Sequence, residues 1–357
     1  MTPIVFSAPA RAGVVGNPSD IYGGSVVSIT VPERARVTLT PQKTMQVVIG
    51  GDEITLERGM DFRAAQCGKW TDIGVAAVRF FAQEISKRHT IPALRLYDRA
   101  DADEVSQRLF DRPFRLSAET AIPVRAGLSG SAALFGGLIS CVLAHMGVHL
   151  GKHHLAETLK FVEQNVLGTS CGYQDYYMTV FGGVCFMDFR DKSGMRQTDE
   201  EPLATVEDLS WTVDRLPFVV AHYGGIRDQR GIVHRSIRER WMSGEELAVR
   251  NNRRIGELGR LGKKALLAGN WTRLAELMNE NHSLQQELGG SFAEIDRHIE
   301  TALELGARAA KLAGGGCGGT LIALHEDPVG LGEELRRAGA RFVTIPRPEP
   351  GVRREDG

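Results

Sequence analysis

The stretch PVRAGLSGSAALFGG, residues 123–137, contains the residue types that point most directly to chemistry. Its glycines permit a tight turn that brings the backbone close to a ligand, and the apolar run after it predicts a helix over 131–146. Unpaired N–H groups at the start of such a helix bind phosphate oxygens. The hydroxyls of Ser129 and Ser131 can cap the helix or reach a nucleotide-bound Mg²⁺. A capped helix in a tight corner fits the same residues.

Two other glycine-rich segments lie near the ends of the chain. They are APARAGVVGNPSD at residues 8–20 and LAGGGCGGTLIAL at residues 312–324, where the pattern predicts a turn that joins a helix to a strand. The central segment is neither a Walker A loop nor a Gly-x-Gly-x-x-Gly fingerprint. It is therefore not assigned to either of those two classes of nucleotide site.

An alternation of predicted strands and helices would position these segments. The predicted strands cover residues 4–8, 24–40, 92–98, 114–123, 182–189, 216–224 and 340–347, and the predicted helices cover 72–86, 131–146, 153–168 and most of 232–310. The polar run RDKSGMRQTDEE at 190–201 separates the two halves of the chain. We therefore predict two domains, at residues 1–200 and 201–347, followed by a disordered tail at 348–357.

Composition and charge exclude several classes of function. The chain has 357 residues, of which 42% are apolar and 24% charged, and its net charge is -1. Such a balance gives no electrostatic footprint for nucleic acid or an anionic membrane, and no segment approaches the roughly 20 apolar residues of a membrane span. The five cysteines form no Cys-x-x-Cys pair and predict reduced thiols in a cytoplasmic protein. The expected partners are small molecules and a second copy of the chain in a homodimer.

The three glycine-rich segments, in this order, resemble the three signature motifs of the GHMP kinases. This superfamily is named after galactokinase, homoserine kinase, mevalonate kinase and phosphomevalonate kinase, and the resemblance extends from about Ser7 to Pro346. It implies an α+β fold with an N-terminal domain like the second domain of ribosomal protein S5 and a C-terminal ferredoxin-like domain. It also implies an ATP-dependent kinase of a small metabolite, with Mg²⁺ as the metal.

In this family the central and third motifs surround the nucleotide. The residues that the resemblance assigns to ATP are Pro123, Gly127, Leu128, Ser129, Gly130, Ser131, Ala132, Gly314, Gly315 and Gly316. Ser131 matches the position that helps to hold Mg²⁺, and Glu163 in KFVEQN is the candidate for the acidic residue that completes the metal site. A solvated carboxylate on an amphipathic helix is the alternative for Glu163. The third motif departs from the family at Cys317, where glycine or alanine is usual.

A catalytic pair is implied by the segment GTSCGYQDYYMTVFGG at 168–183. In sugar kinases of the family a Gly-x-x-Asp unit here carries the catalytic aspartate, which corresponds to Asp175. Phosphoryl transfer needs a carboxylate that accepts the proton of the acceptor hydroxyl and cations that neutralise the developing charge. Arg11 matches a basic residue that lies near this base in relatives, and an arginine in an apolar strand needs a partner. We therefore predict an Arg11–Asp175 pair.

The first motif reaches the acceptor in this family, and its form differs between substrates. This chain has GNPSDIYGG at 16–24, and both this unit and the string VHRSIRERWMSGEEL at 233–247 resemble the glucuronokinases, which phosphorylate the anomeric oxygen of glucuronic acid. The acceptor contacts implied are Asn17, Ser19, Asp20 and Tyr22. Asp20 would bond sugar hydroxyls, as the corresponding aspartate does in galactokinases.

A uronic acid also needs a cationic partner, because a buried carboxylate without one is costly. Arg227 and Arg235 are the preferred candidates, with Arg125 and Arg230 as further ones. The same arginines suit a sugar phosphate, so a D-glycero-D-manno-heptose 7-phosphate 1-kinase or another sugar kinase of the family is the alternative substrate class. A solvated basic loop is the alternative without a functional role.

Two alternatives of another class share the scaffold. Diphosphomevalonate decarboxylases use it for a different reaction, and the sugar-kinase-like GYQD unit at 172–175 speaks against that reading. Degenerate members of the superfamily bind nucleotide or metabolite as regulators without catalysis. The presence of Asp175, Ser131 and Glu163 argues against a regulator.

Overall fold

β-Branched and small apolar residues build a long N-terminal hairpin, which is the centre of the first sheet. β1 (Ile4–Val15) and β2 (Ser25–Pro41) pair antiparallel, and β1 is buried over almost its whole length because helices cover it. The computed structural model describes residues 2–63, 68–84, 108–192, 201–212, 216–224, 230–316 and 319–355. The first motif connects the two strands of this hairpin.

The first sheet has the strand order β12-β1-β2-β5-β3-β4, and β6 pairs with both β2 and β7. Its other strands are β3 (Met45–Ile49), β4 (Asp52–Leu56), β5 (Phe114–Thr120), β6 (Val184–Asp188), β7 (Thr205–Asp208) and β12 (Arg353–Arg354). β3 and β5 are parallel, whereas the pairs around them are antiparallel.

Among the described residues of the first half, four α-helices pack around this sheet. They are α1 (Thr71–Arg79), α2 (Gly130–Met146), α3 (Lys152–Phe161) and α4 (Gln174–Phe181). α2 is apolar around most of its circumference and packs against β1 and β2; a Cβ at Gly137 would lie 2.5 Å from the Val37 side chain. A π-helical turn, Val162–Leu167, continues α3 and ends at Gly168, as the sequence pattern predicts.

The second sheet has the order β11-β8-β10-β9 and is antiparallel throughout. Its strands are β8 (Phe218–His222), β9 (Ala309–Leu312), β10 (Thr320–Leu324) and β11 (Phe342–Thr344), and its helices are α5 (Arg230–Met242), α6 (Glu246–Leu267), α7 (Trp271–Glu287), α8 (Ala293–Glu304) and α9 (Pro328–Arg337). Strand, helices, two strands, helix and strand follow one another, which is the ferredoxin-like βαββαβ arrangement with an enlarged first crossover.

The predicted helix–strand turn at the third motif is wrong. The helix ends at Glu304, and Gly306, with a φ of 94°, reverses the chain into β9, so that the motif joins two antiparallel strands. The strand predicted at 92–98 lies outside the described residues. β7 lies in the first sheet, so the N-terminal part of the chain extends beyond the predicted boundary at residue 200.

Residues 348–355 of the predicted tail pack on the first half of the chain, so the prediction of disorder is wrong for this part. β12 pairs with β1, the Val352 N–H donates to the Thr179 carbonyl at 2.7 Å, and the Glu355 N–H donates to the Val5 carbonyl at 2.9 Å. Backbone pairing does not require apolar side chains, which explains why the polar composition was misleading. Among the described residues, no helix could cross a membrane.

Candidate active site

A cavity of about 510 Å³ lies where the three motifs meet. The motif residues on its wall are Arg11, Pro18, Asp20, Gly127, Ser129, Gly130, Ser131, Gly315 and Gly316. A groove of about 670 Å³ along α6 and α7 is larger and more open, but its described lining contains no motif residue. The smaller cavity is therefore the candidate active site.

The predicted Arg11–Asp175 pair is present at the floor of this cavity. Arg11 is only 4% exposed, and its Nε donates to Asp175 Oδ1 at 2.8 Å, with Nη2 on the same oxygen. Nη1 donates to the Gly127 carbonyl at 2.8 Å. Because both bonds use Oδ1, Asp175 keeps Oδ2 without a bond to any described residue. One arginine thus joins the carboxylate to the central loop.

Asp20 holds the start of the helix that carries Asp175. α4 has no capping side chain of its own at Tyr173, and Asp20 Oδ2 instead accepts the N–H groups of Tyr173 at 2.6 Å and Gln174 at 3.0 Å. A Cβ at Gly172 would lie 2.0 Å from this oxygen, so the close approach needs glycine. Burial raises the pKa of Asp20, although the two backbone N–H groups act in the opposite direction. Asp20 therefore positions the helix of Asp175 and also lines the cavity.

The central loop offers unused hydrogen-bonding capacity at the start of α2. Gly127 has a φ of 78° and Ser129 a φ of 62°, which turns the chain sharply into the helix. The Ser129 Oγ is buried and has no hydrogen-bond partner among the described residues. An unpartnered hydroxyl at the positive end of a helix fits an anion such as a phosphate group.

Ser131 and Glu163 lie together on the wall beside this loop. The Ser131 hydroxyl and the Tyr176 hydroxyl hydrogen-bond Glu163, the latter at 2.9 Å, and Glu163 is 5% exposed on the π-helical turn. The alternative of a solvated carboxylate is therefore wrong. Burial raises the pKa of Glu163 to about 7.

This pair fits one side of a Mg²⁺ site. Mg²⁺ is typically held by one or two carboxylates, with phosphate oxygens and water as its remaining ligands. Among the described residues, no group of three or more His, Cys, Asp or Glu side chains could hold a metal alone. Ser131 and Glu163 would therefore need the phosphate oxygens of a bound nucleotide.

The third motif packs directly against the central loop. A Cβ at Gly314 would lie 2.7 Å from the Gly127 carbonyl oxygen, and one at Gly316, where φ is 119°, would lie 2.3 Å from the Gly290 carbonyl oxygen. Only glycine allows both approaches without a shift of the backbone. Gly315 and Gly316 line the cavity, whereas Gly314 supports the central loop.

Besides Gly314, three residues predicted to bind nucleotide are not among the described lining of the cavity. Leu128 and Ala132 are each 1% exposed, and their side chains belong to the hydrophobic core. The Leu128 carbonyl accepts the Arg11 N–H at 3.2 Å, and the Pro123 carbonyl accepts the Ala126 N–H at 3.3 Å. These three residues shape the loop and do not face the cavity.

Asn17 and Ser19 also differ from the prediction of direct acceptor contact. Both are 0% exposed. Asn17 Nδ2 donates to the Gly314 carbonyl at 2.7 Å, and the Ser19 hydroxyl donates to the Gly16 carbonyl at 2.6 Å. Their side chains hold the first motif in shape and leave Asp20 facing the cavity.

Another part of the cavity wall carries cations and an aromatic ring. Tyr22, Arg235 and Arg238 line it, and the ring of Tyr22 lies 5.3 Å from that of Trp241. Arg238, which the sequence analysis missed, donates to the Ser170 hydroxyl at 3.4 Å. Neither Arg235 nor Arg238 forms an ion pair with a described residue. A negatively charged group of a ligand could therefore bind here.

Of the other predicted cations, only the side chain of Arg125 belongs to the described part of the chain. Arg125 is exposed and is not among the described lining residues. Arg227 and the side chain of Arg230 lie outside the described part of the chain. The sequence also did not predict the three lining residues that have amide side chains, Gln174, Asn252 and Gln285. The last two lie on helices without a motif, so no local signal marks them.

Comparison with known proteins agrees with this architecture. Residues 93–183 match the GHMP kinases N terminal domain, and residues 263–343 match GHMP kinases C terminal. The chain belongs to the GHMP kinase family. The family and the two-domain fold that the motifs imply are thereby confirmed.

Individual relatives include several kinds of kinase. The chain is 28% identical over 343 residues to Glucuronokinase 1 of Arabidopsis thaliana, which covers 92% of this chain and 88% of the relative. It is 28% identical over 327 residues to Mevalonate kinase of Pyrococcus horikoshii, with 90% and 88% covered. Lactococcus lactis galactokinase complexed with galactose has the same fold, with a TM-score of 0.73 at 18% identity over 98% of this chain and 95% of that one.

Proposed function

We propose that the protein is an ATP-dependent sugar kinase that phosphorylates the anomeric hydroxyl of a uronic acid, with glucuronic acid as the favoured acceptor and glucuronate 1-phosphate as the product. One observation carries the proposal. The Arg11–Asp175 pair lies in a cavity that is also lined by the central loop, Asp20, Tyr22 and two arginines. A phosphate donor and a polar, acidic acceptor would meet at this pair.

Each group of residues has a separate role in the proposed phosphoryl transfer. Asp175 Oδ2 is available to accept the proton of the acceptor hydroxyl. Arg11 holds the other carboxylate oxygen and also donates to the Gly127 carbonyl of the central loop. The N–H groups at the start of α2 and the Ser129 hydroxyl would bind donor phosphates. Ser131 and Glu163 would hold Mg²⁺, which supplies positive charge against the phosphate oxygens when it is bound.

The acidic part of the acceptor is assigned to the arginine wall. Neither Arg235 nor Arg238 has an ion-pair partner among the described residues, so both can meet a carboxylate, and the two Arabidopsis relatives that are 28% identical are a glucuronokinase and a probable glucuronokinase. A sugar phosphate such as heptose 7-phosphate would meet the same arginines and is the second candidate acceptor. A cytoplasmic location and a homodimer stay predictions.

The test is an ADP-release assay with glucuronate, galacturonate, galactose, heptose 7-phosphate and mevalonate as acceptors. We expect glucuronate to give the highest kcat/KM. Arg235→Ala should raise the KM for glucuronate about 10-fold without a comparable change for ATP, because it removes a charge-assisted bond, whereas Arg253→Ala, an exposed arginine on α6, serves as the control. Preference for galactose or mevalonate, or equal effects on both KM values, would contradict the assignment.

A further inference from the structure

Three amide side chains on the wall of the cavity have buried polar atoms without a partner. Gln174 Oε1, Asn252 Oδ1, and both Oε1 and Nε2 of Gln285 form no hydrogen bond with described residues. The three residues are 3%, 1% and 2% exposed. Buried polar atoms in proteins nearly always have partners. Unpaired atoms that face a cavity therefore indicate a bound molecule that completes their bonds.

The orientation of Asn252 defines what that molecule must offer. Its Nδ2 donates to the Ala248 carbonyl at 2.8 Å. Because a carbonyl only accepts, the nitrogen is fixed there and Oδ1 is left to accept. Gln285 presents both a donor and an acceptor. A hydroxyl group donates and accepts through one atom, so several hydroxyls on one ring would match this set.

The neighbours of these amides place them on the acceptor side. Asn252 lies on α6 between Ala248 and Ile255, and these apolar residues belong to the cluster against which Tyr22 packs. Gln285 lies on α7 between Leu284 and Leu288 of the same cluster.

Gln174 is the amide that adjoins the Arg11–Asp175 pair. It directly precedes Asp175, and its N–H donates to Asp20 Oδ2 at 3.0 Å. The three amides are uncharged, which suits neutral hydroxyls better than phosphate or carboxylate groups.

We propose that Asn252 and Gln285, together with Gln174, bind the ring hydroxyls of the acceptor sugar and determine which sugar is phosphorylated. This inference rests on the proposed function, because it needs a sugar in the cavity. A site built to bond a hydroxyl discriminates strongly against an analogue that lacks it, since its own polar groups are then left unpaired.

The first experiment measures the KM for sugar and for ATP in Gln285→Met and Asn252→Leu. We expect the KM for the sugar to rise about 10- to 100-fold and the KM for ATP to stay within about 2-fold. Gln286→Met, at an exposed position of the same helix, is the matched control and should change neither. Because Gln285 bonds no described side chain, Gln285→Met should not lower the unfolding temperature.

The second experiment uses analogues of the sugar that each lack one hydroxyl. The wild type should discriminate against the analogue that lacks the hydroxyl bonded by Gln285, and Gln285→Met should treat that analogue and the parent sugar alike. An unchanged sugar KM in both variants, or a rise confined to the ATP KM, would overturn this inference alone. Failure of the wild type to phosphorylate any sugar would overturn the proposed function and this inference with it.

Discussion

Glu163 illustrates how burial changes the chemistry of a single carboxyl group. In the sequence it resembles one of many charges on an amphipathic helix, but the π-helical turn directs it inward to the hydroxyls of Ser131 and Tyr176. Burial is the largest cause of its raised pKa, and the two hydrogen bonds only partly offset it. Such a carboxyl holds its proton in the empty protein more tightly than an exposed one.

We predict a pH-dependent stability effect for Glu163→Gln in the metal-free protein. The pKa rises from 4.5 in the unfolded chain to about 7 in the folded one, so the contribution of Glu163 to stability is fully present below pH 4.5 and is lost as pH rises through about 7. At about 1.4 kcal/mol per pKa unit, wild type should lose about 3 kcal/mol relative to Glu163→Gln over this window. Urea unfolding between pH 4.5 and 8 measures it.

The control is Glu304→Gln, an exposed carboxyl at the end of α8, which should follow the wild-type profile. Parallel pH profiles of wild type and Glu163→Gln would contradict the assigned burial.

For single residues, the sequence motifs predicted some positions in the site correctly and others incorrectly. Arg11 and Asp175 could be paired because both lie in motifs and because a buried arginine requires a partner. Asn17 and Ser19 lie in the same motif as Asp20, but the sequence does not show which side chains face the cavity and which bond their own loop. Gln285 lies in an ordinary amphipathic helix, so only the tertiary structure reveals it.

At the scale of elements, Lys311 on β9 joins two of the motifs. Its Nζ donates to Asn17 Oδ1 at 2.8 Å and to the Leu312 carbonyl at 2.6 Å, and Asn17 in turn donates to the Gly314 carbonyl at 2.7 Å. Lys311 is fully buried without a described carboxylate partner, and burial lowers its pKa. One series of hydrogen bonds thus connects the first motif to the third.

We predict that Lys311→Met weakens the binding of both substrates. It leaves Asn17 Oδ1 buried and unpaired, which costs about 1–3 kcal/mol of stability and loosens the loops of the first and third motifs together. The KM values for sugar and for ATP should rise by similar factors. Lys264→Met, at an exposed position on α6, is the control. A rise in only one KM would show that Lys311 does not couple the two loops.

The environment of Lys311 also explains where the element prediction failed. The run Ala309–Leu312 is short and apolar except for Lys311, and such a run fits the end of a helix as well as a buried strand. The hydrogen bonds to β10 stabilise this run as a strand. Longer segments such as α2 and the hairpin of β1 and β2 were predictable. Their spacing of apolar residues is maintained over several helical turns or along a whole strand.

At the scale of the whole molecule, the C-terminal segment closes the fold onto the N-terminal sheet. β12 extends this sheet beyond β1, and Val352 bonds the backbone of α4. Arg34 also donates to the carbonyls of Pro350 and Gly351. β1 carries Arg11 and α4 carries Asp175, so the segment supports both elements of the Arg11–Asp175 pair.

We predict that deletion of residues 348–357 lowers both stability and turnover. Loss of several backbone hydrogen bonds should reduce Tm by about 5 °C or more, and kcat should fall because β1 and α4 lose a shared support. Circular dichroism and the ADP-release assay measure the two effects. Deletion of 356–357 alone is the control, and a neutral effect of the longer deletion would contradict the buttressing role.

The order of the three motifs predicted the overall architecture. The composition and net charge predicted small molecules, and not nucleic acid or membranes, as partners. The structure of the tail and the position of the domain boundary could not be predicted from the sequence. β7 and β12 join the first sheet through backbone hydrogen bonds, and their polar sequences give no signal for such pairing.

The central claim is the transfer of phosphate from ATP to the anomeric oxygen of an acidic sugar. Phosphorus NMR of the products from ATP and glucuronate tests it most directly, with Asp175→Asn as the control that should slow the reaction about 10²- to 10⁴-fold. We predict a new resonance that couples to the anomeric proton and grows together with ADP. A phosphate on another carbon, inorganic phosphate alone, or equal rates in both proteins would contradict the account.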